Sequence, residues 1–202
     1  MGLTLTHLYI SLVPLAIGSV VAIVLSQVVP DRIKSSVAAI LGGIYAVPSL
    51  ALFVALPALI GTNFVGPTNV LIALTIYVIS AMFFAANDAF NSVPQSVMLV
   101  AKAQGLSRWQ RLFHVEFPLA LPGIIAGLRV ASASTVSMAS IGAVVGVRNL
   151  GYLFLDGFQR KIPEEILTGL FGIVLIAVAL DLMLWLTGKL ISPWSAKKLQ
   201  HA

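Results

Sequence analysis

Residues 92–123 read SVPQSVMLVAKAQGLSRWQRLFHVEFPLALPG. Almost everything around this stretch is apolar enough to sit in lipid, and the stretch itself is not. It carries Lys102, Arg108, Arg111, His114 and Glu116. It also holds two start signals for short helices. Ser92 followed by Gln95 fits a capping box, with Pro94 in the first turn, where its missing N–H costs nothing; Ser107 followed by Gln110 fits a second. Gly105 falls between them, where a first helix needs a residue free to adopt positive φ. The spacing predicts a helix–Gly–helix hairpin outside the bilayer, with Pro118 and Pro122 opening the next apolar run.

Composition sets the class around that hairpin. The chain has 202 residues, of which 59% are hydrophobic and 9% charged, and its mean hydropathy is +1.02. A soluble domain is about a quarter charged. These values describe an all-α integral membrane protein with a single domain over 1–202. The absence of cysteine excludes disulfides, a thiol nucleophile and a cysteine metal site. The net charge of +5 does not point to nucleic acid, because the basic residues sit between apolar runs and are not gathered on a soluble face. Met1 to Thr6 hold no Lys or Arg, so no cleavable signal peptide is expected.

Five apolar runs follow in order. Leu8 to Pro30 is uncharged and long enough to cross a core of roughly 30 Å, and Asp31-Arg32-Ile33-Lys34 ends it. Val37 to Gly61 is interrupted by Gly42-Gly43, Pro48 and Pro57, which predicts a kinked or partly unwound span. Thr62 to Asn69 reads as a turn at Gly66-Pro67. Val70 to Ala86 is the third run, closed by Asn87-Asp88. Pro118 to Val147 is the fourth, with Arg129 inside it. Arg148 to Glu165 is a polar loop with a short helix on the membrane face. Ile166 to Ile191 is the fifth, with Asp181 inside it and a tail carrying Pro193, Lys197 and Lys198.

Five transmembrane helices place Arg32, Lys34, Lys102, Arg108, Arg111, Lys197 and Lys198 on one side, with Lys189 at its edge. The other side receives Arg148, Arg160 and Lys161, offset by Asp156, Glu164 and Glu165. The first side is therefore expected to be cytoplasmic, with the N-terminus outside and the C-terminus inside. The hairpin, between spans three and four, then falls in the cytoplasm.

The order of features in residues 92–123 resembles the EAA loop of type I ABC importer permeases. In that family a short cytoplasmic coupling helix is followed by Gly, a polar helix and a Leu-Pro pair; the matching positions are Ala101, Gly105 and Leu121-Pro122. The resemblance implies an ATPase-coupling segment made of Leu99, Val100, Ala101, Lys102, Gly105, Leu106, Trp109, Leu121 and Pro122, with ATP and Mg held by separate ABC ATPase subunits. Where the family carries Glu-Ala-Ala, this chain has Leu99-Val100-Ala101. Pro48-Ser49-Leu50-Ala51-Leu52 resembles a block typical of osmoprotectant permeases. Gly146 to Gly151 is similar to a Gly-rich segment of the same family, with Arg148 and Asn149 in place of small residues. The resemblance implies an importer permease for glycine betaine, carnitine or choline, multi-pass in a bacterial or archaeal inner membrane. It further implies an extracytoplasmic binding protein and a second permease, either another copy or a paralogue. A homodimer would carry both departures twice, which favours a heterodimeric pair. The alternatives are a permease for amino acids or other small polar solutes, an ATP-independent channel or secondary carrier, and a purely structural membrane subunit.

No chemistry is expected from the chain itself. It has no G-x-x-x-x-G-K-[ST], no Ser-His-acid set and no paired carboxylates. His7, His114 and His201 are far apart, so no metal or other cofactor site is predicted. Polar residues within the spans matter more. Pro48, Ser49, Ser132, Thr135 and Ser137 are the candidates for a translocation path; close helix packing is the favoured reading for any single serine, with at least one face of the fourth span expected to line the path. Arg129 and Asp181 lie about a dozen and about ten residues from the cytoplasmic ends of their spans, similar depths at 1.5 Å per residue. They are expected to form a structural ion pair, with a substrate contact as the other reading. Trp109 suits a membrane interface or the underside of the hairpin, and Trp185 and Trp194 suit interface anchors. The converging aromatic faces that a quaternary ammonium needs are not evident, which assigns its tight capture to the binding protein.

Overall fold

The computed structural model describes residues 2–63 and 66–193. Four helices in it are long and apolar enough to cross a membrane: α1 (Leu3–Val28), α4 (Pro67–Asn91), the composite helix that runs from Arg108 to Val145, and α9 (Pro163–Ile191). α4 is the centre. α1, α7 (Phe117–Ile141), α2 (Asp31–Ala46) and α3 (Ser49–Ile60) all pack on it, while α9 lies on the far side of α7. In lipid, apolar burial does not drive helices together, so close approach must. Small residues supply it here. A Cβ on Gly18 would stand 2.8 Å from Val78, and one on Gly127 would collide with the Ala85 side chain.

Two of the serines on the buried face of α1 return to backbone, as a medium without water favours, while Ser19 Oγ and His7 Nδ1 are buried without a partner among the described residues. Ser11 Oγ donates to the His7 carbonyl at 2.8 Å, and Ser26 Oγ to that of Ile23 at 2.7 Å. His7 itself is fully buried, with Nε2 3.1 Å from the Val136 carbonyl, tying α1 to α7.

The second apolar run is not one helix. The chain turns at Val29-Pro30, and Asp31 to Lys34 form the first turn of α2 rather than a loop closing α1. α2 and α3 are bent by 105° at Val47-Pro48. Pro48 cannot donate and its ring disfavours a helical Val47, so the helix stops there and restarts. The pair still carries the chain from the end of α1 to the start of α4, where Thr62 hydrogen-bonds Asn69 and Asn69 Nδ2 donates to the Asn63 carbonyl at 2.6 Å.

The fourth span also starts earlier than its hydropathy suggests. α6 (Arg108–Arg111) runs through a π-helical turn at Leu112–Glu116 directly into α7. The Phe117 amide bonds the Leu112 carbonyl, five residues back. Pro118 explains the turn: it brings no N–H for the His114 carbonyl, and its ring would crowd that carbonyl in a regular helix. The span ends in a 3₁₀ turn at Gly142–Val145, short of Val147. Beyond it the polar loop holds a short helix, α8 (Tyr152–Arg160), packed on α9.

Candidate functional site

The hairpin is built from local rules. α5 (Gln95–Ala103) ends in a Schellman motif: the Leu106 amide bonds the Ala101 carbonyl at 3.3 Å and the Gly105 amide that of Lys102 at 3.0 Å. Gly105 sits at φ +78°, the left-handed conformation that this motif demands. Ser107 then caps α6 in a reciprocal box: its amide donates to Gln110 Oε1 at 2.8 Å, and its Oγ accepts from the Gln110 amide at 3.3 Å. The first capping box does not form. Ser92 closes α4 instead, with Oγ donating to the Ala89 carbonyl at 2.7 Å, and Pro94 stands at the cap of α5. Ser92 can reach back into a finished helix, and that wins over a forward contact across the rigid Val93-Pro94 turn.

α5 shows two faces. Met98 and Ala101, three residues apart, turn inward with Val93; Ala101 is buried and Met98 packs against the cluster that holds Ala89, Val93 and Ala120. Ala101 therefore positions the helix rather than offering surface. Leu99 and Val100 turn outward, 63% and 57% exposed. Trp109 stacks on Phe113 with ring centroids 6.2 Å apart, and both are exposed. Lys102 is exposed, Leu106 half-buried, and Arg111 Nη1 holds the loop by donating to the Leu106 carbonyl at 2.9 Å. Leu121 and Pro122 are half-buried inside α7, a turn beyond the hairpin. The result is an apolar patch rimmed by Lys102 and Arg108 at the end of the molecule where α1 finishes, beside a recess lined by Gln27, Val28 and Trp109.

Within the spans, Arg129 of α7 meets Asp181 of α9 in a two-pronged ion pair, Nε to Oδ1 at 2.6 Å and Nη2 to Oδ2 at 2.7 Å. The two side chains remain 37% and 41% exposed. The hydroxyls of α7 do not share a face. Ser132 and Thr135 are buried, Thr135 donating to the Ala131 carbonyl, whereas Ser137 is exposed. Pro48 is exposed and Ser49 half-buried, at the start of α3. The candidate path residues therefore divide between a packing face and an open one.

Two features were not read from the sequence. Asn149 is fully buried: Nδ2 donates to the Ala139 carbonyl at 2.9 Å and Oδ1 accepts from the Gly151 amide at 2.6 Å. It locks the turn after α7, and Asn-Leu-Gly carried that Asx-turn signal. The second is an aromatic pair. Tyr45, at the end of α2, meets Tyr77 of α4 edge to face, with centroids 5.9 Å apart. The packing of α2 on α4 brings them together. At the opposite end of the molecule from the hairpin, the Arg160 guanidinium, 2.9 Å from Asp156, holds that carboxyl below its usual range. Near the end of α9, Lys189 Nζ lies 3.7 Å from the Trp185 ring centroid, an arrangement suited to a membrane interface. Trp194, Lys197, Lys198 and His201 lie outside the described residues.

A chain with four long spans, one broken helix pair and an apolar hairpin at one end has the architecture of a transporter's membrane subunit. Residues 15–197 match the family of binding-protein-dependent transport system inner membrane components, and the chain belongs to it. It is a permease subunit of an ABC importer, a non-catalytic, multi-pass inner-membrane protein. It is 30% identical over 190 residues to the glycine betaine/carnitine/choline transport system permease protein OpuCB of Bacillus subtilis, covering 93% of this chain and 86% of that one. It is 33% identical over 190 residues to the osmoprotectant import permease protein OsmW of Salmonella typhimurium, covering 91% and 87%. Its fold is similar to a chain of the inward-facing MetNI methionine ABC transporter, with TM-score 0.75, 19% identity and coverage of 95% and 93%.

Proposed function

We propose that this chain forms part of the membrane path for quaternary-amine osmoprotectants of the glycine betaine, carnitine and choline kind, and that its hairpin couples that path to a separate ATPase. The substrate class is supported by the names of the relatives OpuCB and OsmW. Coupling is carried by one observation: Leu99, Val100, Trp109 and Phe113 are held out of the molecule on a capped, rigid hairpin. An apolar patch of that kind, outside the bilayer and rimmed by charge, marks a protein contact. The missing acidic residue at Leu99 does not argue against it, because desolvating a charge offsets much of its attraction.

The α2–α3 pair counts as the fifth span, with the N-terminus outside and the hairpin in the cytoplasm, in keeping with Arg32, Lys34, Lys102, Arg108 and Arg111 on the hairpin side. A second permease, a paralogue rather than a copy, covers the face of α7 and α9 that carries Arg129 and Asp181. Charges at that depth do not face lipid. An extracytoplasmic binding protein delivers the substrate.

The test is reconstituted transport with ATPase and binding protein. The complete complex should take up labelled glycine betaine or choline in an ATP-dependent manner. Gly105→Val, which strains a left-handed position, should insert and assemble but lose uptake and transport-linked ATP hydrolysis. Wild-type uptake in that variant would remove the coupling assignment, and uptake of amino acids alone would replace the substrate class.

A further inference from the structure

The broken span leaves its bend deep in the membrane. Tyr77 is ten residues into the 25-residue α4, about 15 Å from its start at 1.5 Å per residue. Its hydroxyl donates to the Val47 carbonyl, so the bend lies at that same depth. Val47 is 39% exposed and Pro48 is exposed. Irregular backbone at that level is tolerated only where protein buries it or where it borders a water-filled cavity. α2 gives the same indication. None of its residues is buried, yet it carries Ser35, Ser36, Gly42 and Gly43, a poor surface for lipid.

A shallow, half-open recess of about 10 Å³ adjoins the bend, room for a single water, so a larger cation would lie over its rim, on the exposed ring of Tyr45, and not inside it. Among the described residues Tyr45, Tyr77, Ser134, Thr135 and Met138 line it, and none of its lining is charged. Tyr77 is almost fully buried and its hydroxyl is committed to Val47, so it fixes the corner. Tyr45 is 41% exposed and keeps its ring available. Tyrosine favours membrane interfaces, so an available tyrosine at mid-depth calls for another partner than lipid headgroups. We propose that this corner is a transit site for the trimethylammonium head of the substrate, with the Tyr45 ring as the contact and Tyr77 as the positioning residue.

The chemistry fits a site that must release its ligand. The negative face of an aromatic ring attracts a cation that has no N–H to donate. A carboxylate would hold that cation harder, and conduction requires binding weak enough to leave. The inference rests on the substrate class proposed above, and the experiment separates the two.

The complete transporter, with ATPase and binding protein, is assayed in proteoliposomes with labelled choline and labelled glycine betaine. Tyr45→Leu should lower the initial uptake rate roughly 2- to 30-fold, the range of a lost cation–π contact, with assembly and ATP-hydrolysis capacity retained. Tyr45→Phe and Tyr45→Trp should stay near wild type, because the ring and not the hydroxyl makes the contact. Tetramethylammonium should inhibit the wild-type complex more strongly than Tyr45→Leu. Full uptake by Tyr45→Leu, or equal damage from Tyr45→Phe, overturns the transit site while leaving the substrate class standing. A wild-type complex that takes up neither probe overturns both.

Discussion

The hairpin and the bend at Val47-Pro48 are both places where a helix stops and the chain changes direction, and they solve the problem in opposite ways. The hairpin looks after itself. Its backbone groups are met by neighbours within a few residues, through the Schellman bonds at Gly105 and the Ser107–Gln110 box, and the capping residues Ser107 and Gln110 are exposed. The bend sits at the level of mid-α4, and its carbonyl is met by a hydroxyl from another helix, that of Tyr77. A chain reversal in water needs only local chemistry. A break inside a membrane needs a donor delivered by tertiary structure, or access to water.

The most damaging way to probe the membrane interior is to strand a charge there. Arg129→Leu and Asp181→Leu should each cut the yield of folded complex severely, because the partner is left uncompensated at depth. The double variant should recover part of that yield, read by extraction and thermal stability; strictly additive losses would mean the two residues do not support each other. Next comes Tyr77→Phe, which deletes one hydroxyl and leaves the Val47 carbonyl without its donor. The expected loss is about 1–3 kcal/mol, measured by thermal unfolding in detergent. Ser107→Ala removes one cap in water, where the released Gln110 amide is rehydrated, and should cost about 1 kcal/mol. If the two hydroxyl deletions prove equal, the bend is as wet as the hairpin and the contrast between them collapses.

Leu99→Glu should move stability least, within about 0.5 kcal/mol as for an exposed substitution. Its value lies in coupling. If a paralogous permease already supplies an acidic contact to the ATPase pair, uptake should change little. Weighing the intact complex sharpens the point: one copy of this chain with a second, similar-sized membrane subunit supports the heterodimer, and two copies with no other permease end it.

Legibility in the sequence follows the same division. Gly105, Ser107 and Gln110 were readable because each rule that places them spans no more than six residues. Arg129 and Asp181 were readable for a different reason. Charges are so costly in an apolar span that depth alone narrows their partners. Ser92 misled because it satisfied two local rules, one facing back to α4 and one facing forward to α5, and only the packed turn chose between them. The serines of α7 were visible as a group, but which of Ser132, Thr135 and Ser137 is buried depends on how α7 sits against its neighbours.

The sequence by itself therefore determined the membrane class, the long spans, the helix–Gly–helix hairpin and an interruption of the second run, because hydropathy, proline geometry and capping are properties of neighbouring residues; of the three candidate interruptions only Pro48 breaks the helix, while α2 runs through Gly42-Gly43 and α3 through Pro57. Only the tertiary structure decided the 105° angle of that break, the union of Tyr45 with Tyr77 and the continuity of α6 with α7 through the π-helical turn. The angle and the tyrosine pair depend on which helix lies against which. That is set by close approach between small residues such as Gly18 and Gly127 and the partners they admit. The π-helical turn depends on how far the helix can absorb Pro118 without stopping, which the proline alone does not say.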